Sequence, residues 1–311
     1  MRQALARARE FEGATAPNPP VGAAALSAEG TLLCVGAHER AGTYHAEARV
    51  IEELHARKLP PAHTLVVTLE PCNHTGRTPP CTDAILALAR EGSLKRVVYG
   101  SLDLNPRVKG VGLARLQAAG LEVSQIDDPA LRAECDRLVA PFVKWITTGR
   151  PWVTIKSAWN RDGTMLPPPG QQTFTTDASL TLAHRLRKRS DAILTGSGTV
   201  LADHPKFTVR RVQDHPGKTR WLVVLDRSKR TPPDWVKHSE DNGFSVRVAG
   251  TSLSETLDFL GHEGVLEVLV EAGPTLTHSF LSTSLWDEHV LITQAKTLGD
   301  PDRVEIVLRA V

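Results

Sequence analysis

The sequence predicts an α/β protein with two layered domains. Its 311 residues are enough for about two domains of ordinary size. Short apolar segments typical of buried strands alternate with amphipathic segments typical of helices along most of the chain. One polar, helix-breaking stretch at residues 147–151 (Thr-Thr-Gly-Arg-Pro) interrupts the series. We therefore expect one domain at residues 1–148 and a second at 149–311.

The first half opens with a predicted helix and then alternates strands and helices. The three prolines of the loop at 15–20 forbid a helix there, and a turn at 28–30 makes the first two strands a hairpin. Helices are expected at 1–12, 45–57, 81–90, 111–119 and 129–146, and strands at 21–26, 31–36, 65–69, 96–100 and 121–123.

The second half repeats the alternation with different spacing. Glycine turns after two of its strands suit the backbone amides of a phosphate or pyrophosphate site, although such turns are more often structural. A complete Gly-x-Gly-x-x-Gly is absent from it. Strands are expected at 152–158, 192–195, 221–226, 245–248, 265–270 and 290–294, and helices at 177–189, 253–260 and 275–285.

Charge and cysteine content narrow the class of protein. Lys and Arg total 37 against 35 Asp and Glu, a net charge of +2, which argues against a general nucleic-acid binder but allows a phosphorylated substrate. Four cysteines are too few for a disulfide framework, and Cys34 and Cys135 lie in apolar, core-like segments. The sequence shows neither a membrane-spanning apolar run nor a signal peptide, so we expect a cytoplasmic enzyme.

The chemistry is concentrated in residues 64–81 together with a His-Ala-Glu triplet. An apolar strand stops at Pro71-Cys72, a polar loop follows, and Cys81 opens a helical pattern, while His45 begins another helix. One imidazole and two thiolates can hold a zinc ion with its fourth position open, and helix N-termini favour the thiolate form. Glu47 is left over as the proton carrier for an activated water.

This arrangement predicts hydrolytic deamination of a heterocyclic amidine. Zinc deaminases use a His-x-Glu and a Pro-Cys pair, with the Glu outside the metal shell. Nucleic-acid deaminases space their cysteines as Cys-x-x-Cys, whereas eight residues separate Cys72 from Cys81, and the inserted loop carries His74 and Arg77 for substrate recognition. A structural zinc clip with His74 as fourth ligand, a scaffold without catalysis, or unmetallated cysteines remain the alternatives.

Long motifs in the first half resemble the bifunctional deaminase–reductases of riboflavin biosynthesis. They are residues 16–22 (Ala-Pro-Asn-Pro-Pro-Val-Gly), 45–47, 68–81 and 103–106 (Asp-Leu-Asn-Pro). The resemblance implies a cytidine-deaminase-like three-layer α/β/α domain that deaminates 2,5-diamino-6-(5-phosphoribosylamino)pyrimidin-4-one. It implies zinc on His45, Cys72 and Cys81, proton transfer by Glu47, and substrate contacts from Asn18, His74, Arg77, Asp103 and Asn105. For Asn18 loop capping, and for Arg77 a solvated charge, are the plainer interpretations.

The second half resembles the family's reductase domain, which is dihydrofolate-reductase-like and uses NADPH to convert the ribosyl group to ribityl. Segments 190–195, 198–203 and 270–276 carry this resemblance. It implies cofactor contacts from Ala158, Thr199, Asp203, Gly273, Pro274, Thr275 and Leu276. It implies substrate contacts from Arg187, Phe207, Arg210 and Glu271. A guanidinium suits a phosphate, although surface ion pairs are the alternative for the two arginines. Lys156 matches a family lysine, although a lone Lys is mostly a solvated charge.

Several positions depart from the family pattern. His204 stands where a second Asp is usual, Thr173 where Trp is usual, Asn160 where Ser is usual and Thr164 where Arg is common. The family usually continues well past Val311, so we expect an exposed sheet edge or a more open cofactor pocket. An alternative is a deaminase whose reductase-like half is catalytically impaired and serves ligand binding or dimerisation. The expected partners are a small phosphorylated pyrimidine and a second copy of the chain, without nucleic acid or membrane.

Overall fold

A computed structural model shows two units, Met1–Thr148 and Gly149–Val311. The structure describes residues 1–75, 79–105, 110–171, 173–297 and 299–309. Within these ranges, no helix combines the length and the apolar character that crossing a membrane requires.

The first unit contains a mixed five-stranded sheet with the strand order β2-β1-β3-β4-β5. Strand β1 pairs antiparallel with β2 and β3, while β3, β4 and β5 run parallel. The elements are α1 (Arg2–Arg9), β1 (Gly22–Leu26), β2 (Leu32–Ala37), α2 (Ala46–Ala56), β3 (Thr64–Leu69), α3 (Cys81–Arg90), β4 (Arg96–Ser101), α4 (Val111–Ala118), β5 (Glu122–Gln125) and α5 (Pro129–Thr148).

Helices cover both faces of this sheet. Alternate residues of each strand point to opposite faces. Leu65 and Val97 pack into the cluster that contains α2, α3 and α4. The intervening Val66 and Val98 pack with Ala4 of α1 on the other face, where α5 also lies. The predicted three-layer α/β/α arrangement is confirmed.

The second unit contains a seven-stranded sheet with the order β12-β11-β6-β10-β7-β8-β9. All its strands run parallel except β12, which is antiparallel to β11. The elements are β6 (Trp152–Trp159), α6 (Asp177–Arg189), β7 (Ala192–Gly196), α7 (Ser197–Asp203), β8 (Arg220–Leu225), α8 (Pro233–Asp241), β9 (Phe244–Ala249), α9 (Leu253–His262), β10 (Glu267–Glu271), α10 (Pro274–Leu281), β11 (Glu288–Thr293) and β12 (Arg303–Leu308).

Both faces of the parallel part are buried, as all-apolar strands require. Leu194 packs with residues of α9 and α10, and the adjacent Ile193 packs against α7 and α8 on the opposite face. The carboxyl ends of β6, β10, β7, β8 and β9 therefore meet along one edge of the sheet. In open α/β sheets, this is the edge at which ligands bind.

Three elements of the second unit differ from the sequence expectations. Helix α7 starts directly after β7, where a glycine turn was expected. Helix α8 begins at Pro233 and buries Trp235, a pattern with Pro at the first helical position. Strand β12 was not predicted. It lies at the sheet edge with Val304, Ile306 and other apolar side chains exposed, so its sequence lacks the alternation of buried apolar and exposed polar residues that marks a strand.

Candidate active sites

Two helix starts and one strand end bring together the predicted metal ligands. His45 is the residue before α2, Cys81 is the first residue of α3, and Cys72 follows the Pro71 corner after β3. Pro80 is the N-cap residue of α3, and its extended backbone at ψ 138° makes Cys81 the first residue of the helix. The fold of the first unit therefore brings residues from three separate chain segments close together.

The three ligand atoms have the spacing that zinc requires. His45 Nδ1 lies 3.2 Å from Cys81 Sγ and 3.5 Å from Cys72 Sγ. A tetrahedral zinc ion, with bonds of about 2.0 Å to nitrogen and 2.3 Å to sulfur, holds such atoms about 3.6 Å apart. Among the described residues His74 is not part of this group, whose ligand atoms lie within 4.8 Å of one another. The donor set fits a zinc ion with three protein ligands.

Glu47 lies beside this group and is buried. It is 3% exposed, stands in the first turn of α2, and its carboxyl is hydrogen-bonded to the Cys81 thiol. Burial raises the pKa of the Glu47 carboxyl to about 7, and the nearby Cys72 sulfur adds to the rise. The Glu47 carboxyl is therefore a buried group that is not one of the three metal ligands and lies next to them.

Hydrogen bonds favour the thiolate of Cys72. Its pKa is lowered to about 4, mainly because the Cys81 side chain is hydrogen-bonded to its sulfur, with His45 adding to the effect. The backbone N–H of Cys81, at the start of α3, also donates to Cys72 Sγ over 3.3 Å. Helix N-terminal amides favour anionic ligands in this way.

Helix α4 packs against residues Pro71–Asn73, which we call the metal corner because they include Cys72. Gly112 is buried, and a Cβ added to it would lie 2.3 Å from the carbonyl oxygen of Pro71. Nearby, the Asn73 side chain accepts hydrogen bonds from Thr82 Oγ1 at 2.7 Å and from Arg115 at 2.9 Å. These contacts hold the Pro71–Asn73 corner against α3 and α4.

The predicted substrate residues of this unit that the structure describes lie near the same group, either directly or through a neighbouring residue. Asp103 is 7% exposed, and it lies within electrostatic range of both Cys72 and the exposed His74. Burial raises the pKa of the Asp103 carboxyl. Asp103 Oδ1 accepts the backbone N–H of Asn105 at 2.8 Å. Arg77 lies outside the described residues.

Asn18 reaches the site through a histidine that sequence reasoning missed. His38, 2% exposed, lies 3.2 Å from the Asn18 amide nitrogen, and its ring packs edge-on against His45 with the centroids 5.1 Å apart. His38 Nδ1 lies 3.1 Å from the Tyr44 carbonyl oxygen. A polar residue placed directly after the apolar β2 was the available signal.

Glu70 is a second residue whose role the sequence did not reveal. It lies between the end of β3 and Pro71, is 3% exposed, and accepts backbone N–H groups from Asp103 at 3.3 Å and Gly110 at 2.8 Å. The motif that contains Glu70 was recognised, but no pattern indicated contacts more than thirty residues away.

The second unit contains a cleft of about 1450 Å³ along the carboxyl ends of its parallel strands. Every predicted cofactor residue lines it, as do three of the four predicted substrate residues. These are Ala158, Thr199, Asp203, Gly273, Pro274, Thr275, Leu276, Arg187, Phe207 and Glu271. The fourth, Arg210, is exposed, does not line the cleft, and donates to Thr208 Oγ1 at 2.6 Å.

One hydrogen bond joins helix α7 to the segment before α10 in the wall of the cleft. The backbone N–H of Gly273, before α10, donates to Thr199 Oγ1 on α7 at 3.0 Å. A Cβ added at Gly198 would meet nothing within 4 Å, so the cleft is open beside this glycine. Two helix starts, a glycine and free cleft volume make a surface that fits a dinucleotide pyrophosphate.

A buried ion pair defines one end of the cleft. Arg187 binds Glu271 through two bonds, Nε–Oε1 at 2.5 Å and Nη2–Oε2 at 2.9 Å, and its guanidinium lies 5.7 Å from the Phe207 ring. Burial alone would raise the pKa of Glu271, but Arg187 outweighs it and holds that pKa below its usual range. Burial also lowers the pKa of Lys156, which lines the same cleft.

The structure pairs two of the departures from the family pattern. The Asn160 side chain donates to Thr164 Oγ1 at 2.9 Å and accepts the Thr164 backbone N–H at 2.9 Å, which orders the turn after β6. Thr173 is exposed and lines the cleft, while His204 ends α7 with a left-handed backbone at φ 40°. Arg227 and Arg230 also line the cleft and were not predicted.

Comparison with known proteins agrees with this geometry. Residues 1–101 match the cytidine and deoxycytidylate deaminase zinc-binding region, and residues 151–308 match the RibD C-terminal domain. The fold and the His-Cys-Cys group thus define a zinc-dependent deaminase domain, followed by a reductase domain.

Relatives of the whole chain support this class. The riboflavin biosynthesis protein RibD of Aquifex aeolicus is 35% identical over 96% of this chain and 87% of its own length. An Acinetobacter baumannii RibD structure has a TM-score of 0.78 at 31% identity, covering 97% of this chain and 87% of that chain. A Thermotoga maritima deaminase/reductase structure has a TM-score of 0.79 at 29% identity, with the same coverage. The chain belongs to the RibD family, the bifunctional deaminase–reductases of riboflavin biosynthesis.

Proposed function

We propose that the first unit deaminates 2,5-diamino-6-(5-phosphoribosylamino)pyrimidin-4-one and that the second unit then reduces the ribosyl group to ribityl with NADPH. The Thermotoga relative is described as a diaminohydroxyphosphoribosylaminopyrimidine deaminase and 5-amino-6-(5-phosphoribosylamino)uracil reductase. The observation that supports the proposal most directly is the His45–Cys72–Cys81 group with the buried Glu47 against it.

The first step adds the oxygen of water to the ring carbon and moves the two water protons, one to the ring nitrogen and one to the leaving amine. His45, Cys72 and Cys81 would hold the zinc ion, which when bound would lower the pKa of a water to about 7 and make hydroxide available at neutral pH. Glu47 would take a proton from the attacking water and pass it to the ring nitrogen, and it would then pass the remaining hydroxyl proton to the exocyclic nitrogen as the carbon–nitrogen bond breaks, so that ammonia leaves and a carbonyl remains. Its burial keeps bulk water from exchanging that proton.

The polar residues around the metal group would hold the pyrimidine. Asp103 lies within electrostatic range of Cys72 and is bonded to the Asn105 backbone, and Asn18 lies next to His38, which packs against His45. His74 is exposed on the loop between the two cysteines, where it can meet the ribose phosphate. Arg77 also lies between the two cysteines in the sequence, so we infer that its positive charge interacts with the phosphate.

The second step needs a cofactor and a sugar side by side in the cleft. NADPH bound there would supply the hydride that converts the nitrogen-linked ribosyl carbon into the CH₂ of ribityl. Thr199 and Gly273 would bind the pyrophosphate of the cofactor. Arg187, Glu271 and Phe207 would bind the sugar. Lys156, whose pKa is lowered by burial, is suited to give the proton that the ring oxygen needs as the ribose opens.

One assay tests both steps on the purified chain. The diaminopyrimidinone phosphate is supplied with and without NADPH, and the products are identified by mass. We expect ammonia and the deaminated ribosyl product without NADPH, and the ribityl product when NADPH is added. Deamination without any NADPH consumption would contradict the second half of the proposal and favour an impaired reductase-like domain.

Substitution of the proton carrier tests the first step. Glu47→Gln keeps the shape of the side chain but removes its basic oxygen, so ammonia release should fall by about 10²–10⁴-fold with zinc retained. Glu52→Gln, at an exposed position on the same helix, is the matched control and should leave the rate unchanged. Unchanged turnover in Glu47→Gln would disprove the assigned role.

A further inference from the structure

The Glu70 carboxylate holds both ends of one loop. Its Oε1 accepts the backbone N–H of Gly110 at 2.8 Å, and its Oε2 accepts the backbone N–H of Asp103 at 3.3 Å. The backbone N–H of Leu113, in the first turn of α4, also donates to it. The segment between these contacts carries Asn105.

The same residue is fixed rigidly to the metal corner. Glu70 is two residues before Cys72, and its own backbone N–H donates to the Ser101 carbonyl of β4 at 2.9 Å. Its side chain is 3% exposed. A shift of Glu70 would therefore move the corner and the loop together, and a loss of its charge would separate the loop from the corner.

Backbone N–H groups partly offset the cost of burying the Glu70 carboxylate. Within the described parts of the chain, no Arg, Lys or His forms an ion pair with it, and the nearest charged influence is the Asp103 carboxylate. A buried carboxylate beside another one is unfavourable unless several donors compensate for it. Burial and the Asp103 carboxylate together raise the pKa of Glu70, and three amides, two of them at the start of α4, offset part of this rise and hold the carboxylate in place.

We propose that Glu70 is a positioning residue for deamination, which sets the place of Asp103 and Asn105 relative to the metal group. The proposal rests on the proposed substrate role of these two residues. It goes further in assigning to Glu70 the control of substrate affinity rather than of metal binding or proton transfer. The pyrimidine would then bind to Asp103 and Asn105, and the segment that carries them is bonded to the Glu70 carboxylate at Asp103 and at Gly110.

Glu70→Gln in the full zinc-loaded chain is the direct test. The amide keeps the size of the side chain, but its NH₂ group would face a backbone N–H, so at least one of the two ends is released. A hydrogen bond to a charged group is worth about 10–100-fold in an equilibrium, so we expect the KM for deamination to rise by about that factor. The kcat and the zinc content should stay within about twofold of wild type.

A double-mutant cycle separates positioning from general support. Asn105→Ala should raise KM in the wild-type background and have a much smaller effect in the Glu70→Gln background, because the loop is already displaced. Additive effects would overturn the proposal, and so would an unchanged KM in Glu70→Gln. Glu91→Gln, an exposed glutamate of the same unit, is the matched control and should change neither constant.

Amide hydrogen exchange tests the anchoring in the unmodified protein. We expect the N–H groups of Asp103, Gly110 and Leu113 to be protected without ligand, and Glu70→Gln to increase exchange at these amides while the β3 amides stay protected. Rapid exchange at the three amides in the wild type would overturn the proposal even if the variant does not fold. If Asn105→Ala alone leaves KM unchanged, the assigned substrate role fails instead, while the exchange result stands.

Discussion

Buried charges at both sites are compensated by specific neighbours. Glu271 in the second unit is paired with Arg187 through two bonds, whereas Glu70 in the first unit is compensated by backbone amides. An ion pair of this kind adds little net stability compared with apolar residues, but removing one partner leaves an uncompensated buried charge. The Arg187–Glu271 pair should therefore be very sensitive to single substitutions.

Glu271→Gln should lower the free energy of unfolding of the second unit by about 3–5 kcal/mol, because Arg187 is left buried without its counter-charge. Urea denaturation followed by tryptophan fluorescence would measure this loss. Glu305→Gln is the matched control. Its partner Arg303 is on the surface, so about 0–1 kcal/mol is expected. Equal losses in the two variants would contradict the assignment of a buried pair.

The same pair predicts a pH dependence. Because the folded-state pKa of Glu271 lies below its ordinary value of 4.5, its contribution to stability is complete above that value and is lost as the pH falls through the folded pKa. The variant Glu271→Gln should remove this part of the acid sensitivity. Unfolding free energies measured at pH 7 and at successively lower pH would show the difference.

Residue types and spacing predicted the metal ligands but not the residues that surround and position the site. His45, Cys72 and Cys81 could be predicted because metal ligands need particular residue types near chain turns. His38 and Glu70 could not, since no periodicity marks their contacts with Asn18, Asp103 and Gly110, which lie 20 or more residues away. Arg210 carried the right chemistry for phosphate, but its side chain lies outside the lining of the cleft.

Short helices that begin at strand ends form the cofactor side of the cleft. Helix α7 follows β7 without a connecting loop, and Gly198 is its second residue. The sequence showed only a glycine-rich turn there, because seven residues are too few to display helical periodicity. Helix α8 was missed for a related reason, since its two buried residues give little pattern.

Gly198→Asp should weaken NADPH binding by at least about tenfold without unfolding the chain. The added side chain meets no protein atom at its Cβ and enters the cleft, where its charge repels a pyrophosphate. An Asp in the first helical turn is locally favourable, which protects the fold. NADPH titration by calorimetry measures the effect.

Gly250→Asp is the control for that experiment. Gly250 also has room for a Cβ, with its nearest neighbours at 3.7 and 3.8 Å, and it does not line the cleft. It should therefore leave NADPH affinity near that of wild type. Equal affinity for NADPH in the wild type and in Gly198→Asp would show that the cofactor does not pass this point.

On the scale of the whole molecule, each unit has its own sheet and its own core clusters. The polar stretch at 147–151 marks the point where they separate, and the two-domain α/β class could be predicted because alternating strands and helices determine the layers. The strand order could not be predicted. The insertion of β10 between β6 and β7 depends on how the helices between them cross the sheet.

Each ligand should stabilise one unit only. Zinc binds within the first unit and NADPH within the second, and a ligand at 100 times its Kd adds about 2.7 kcal/mol to the unit that binds it. Calorimetry should therefore show chelation lowering one transition and NADPH raising the other. A single transition that shifts with either ligand would contradict this expectation.

The contact between Gly112 and Pro71 limits how this protein can be engineered. Exchanging a helical glycine for alanine is a common way to make an enzyme more heat-resistant. Here the extra methyl group would collide with a carbonyl oxygen next to a metal-binding cysteine. A thermostabilisation library should therefore leave this position untouched, because any gain in helix propensity would be lost in a displaced catalytic centre.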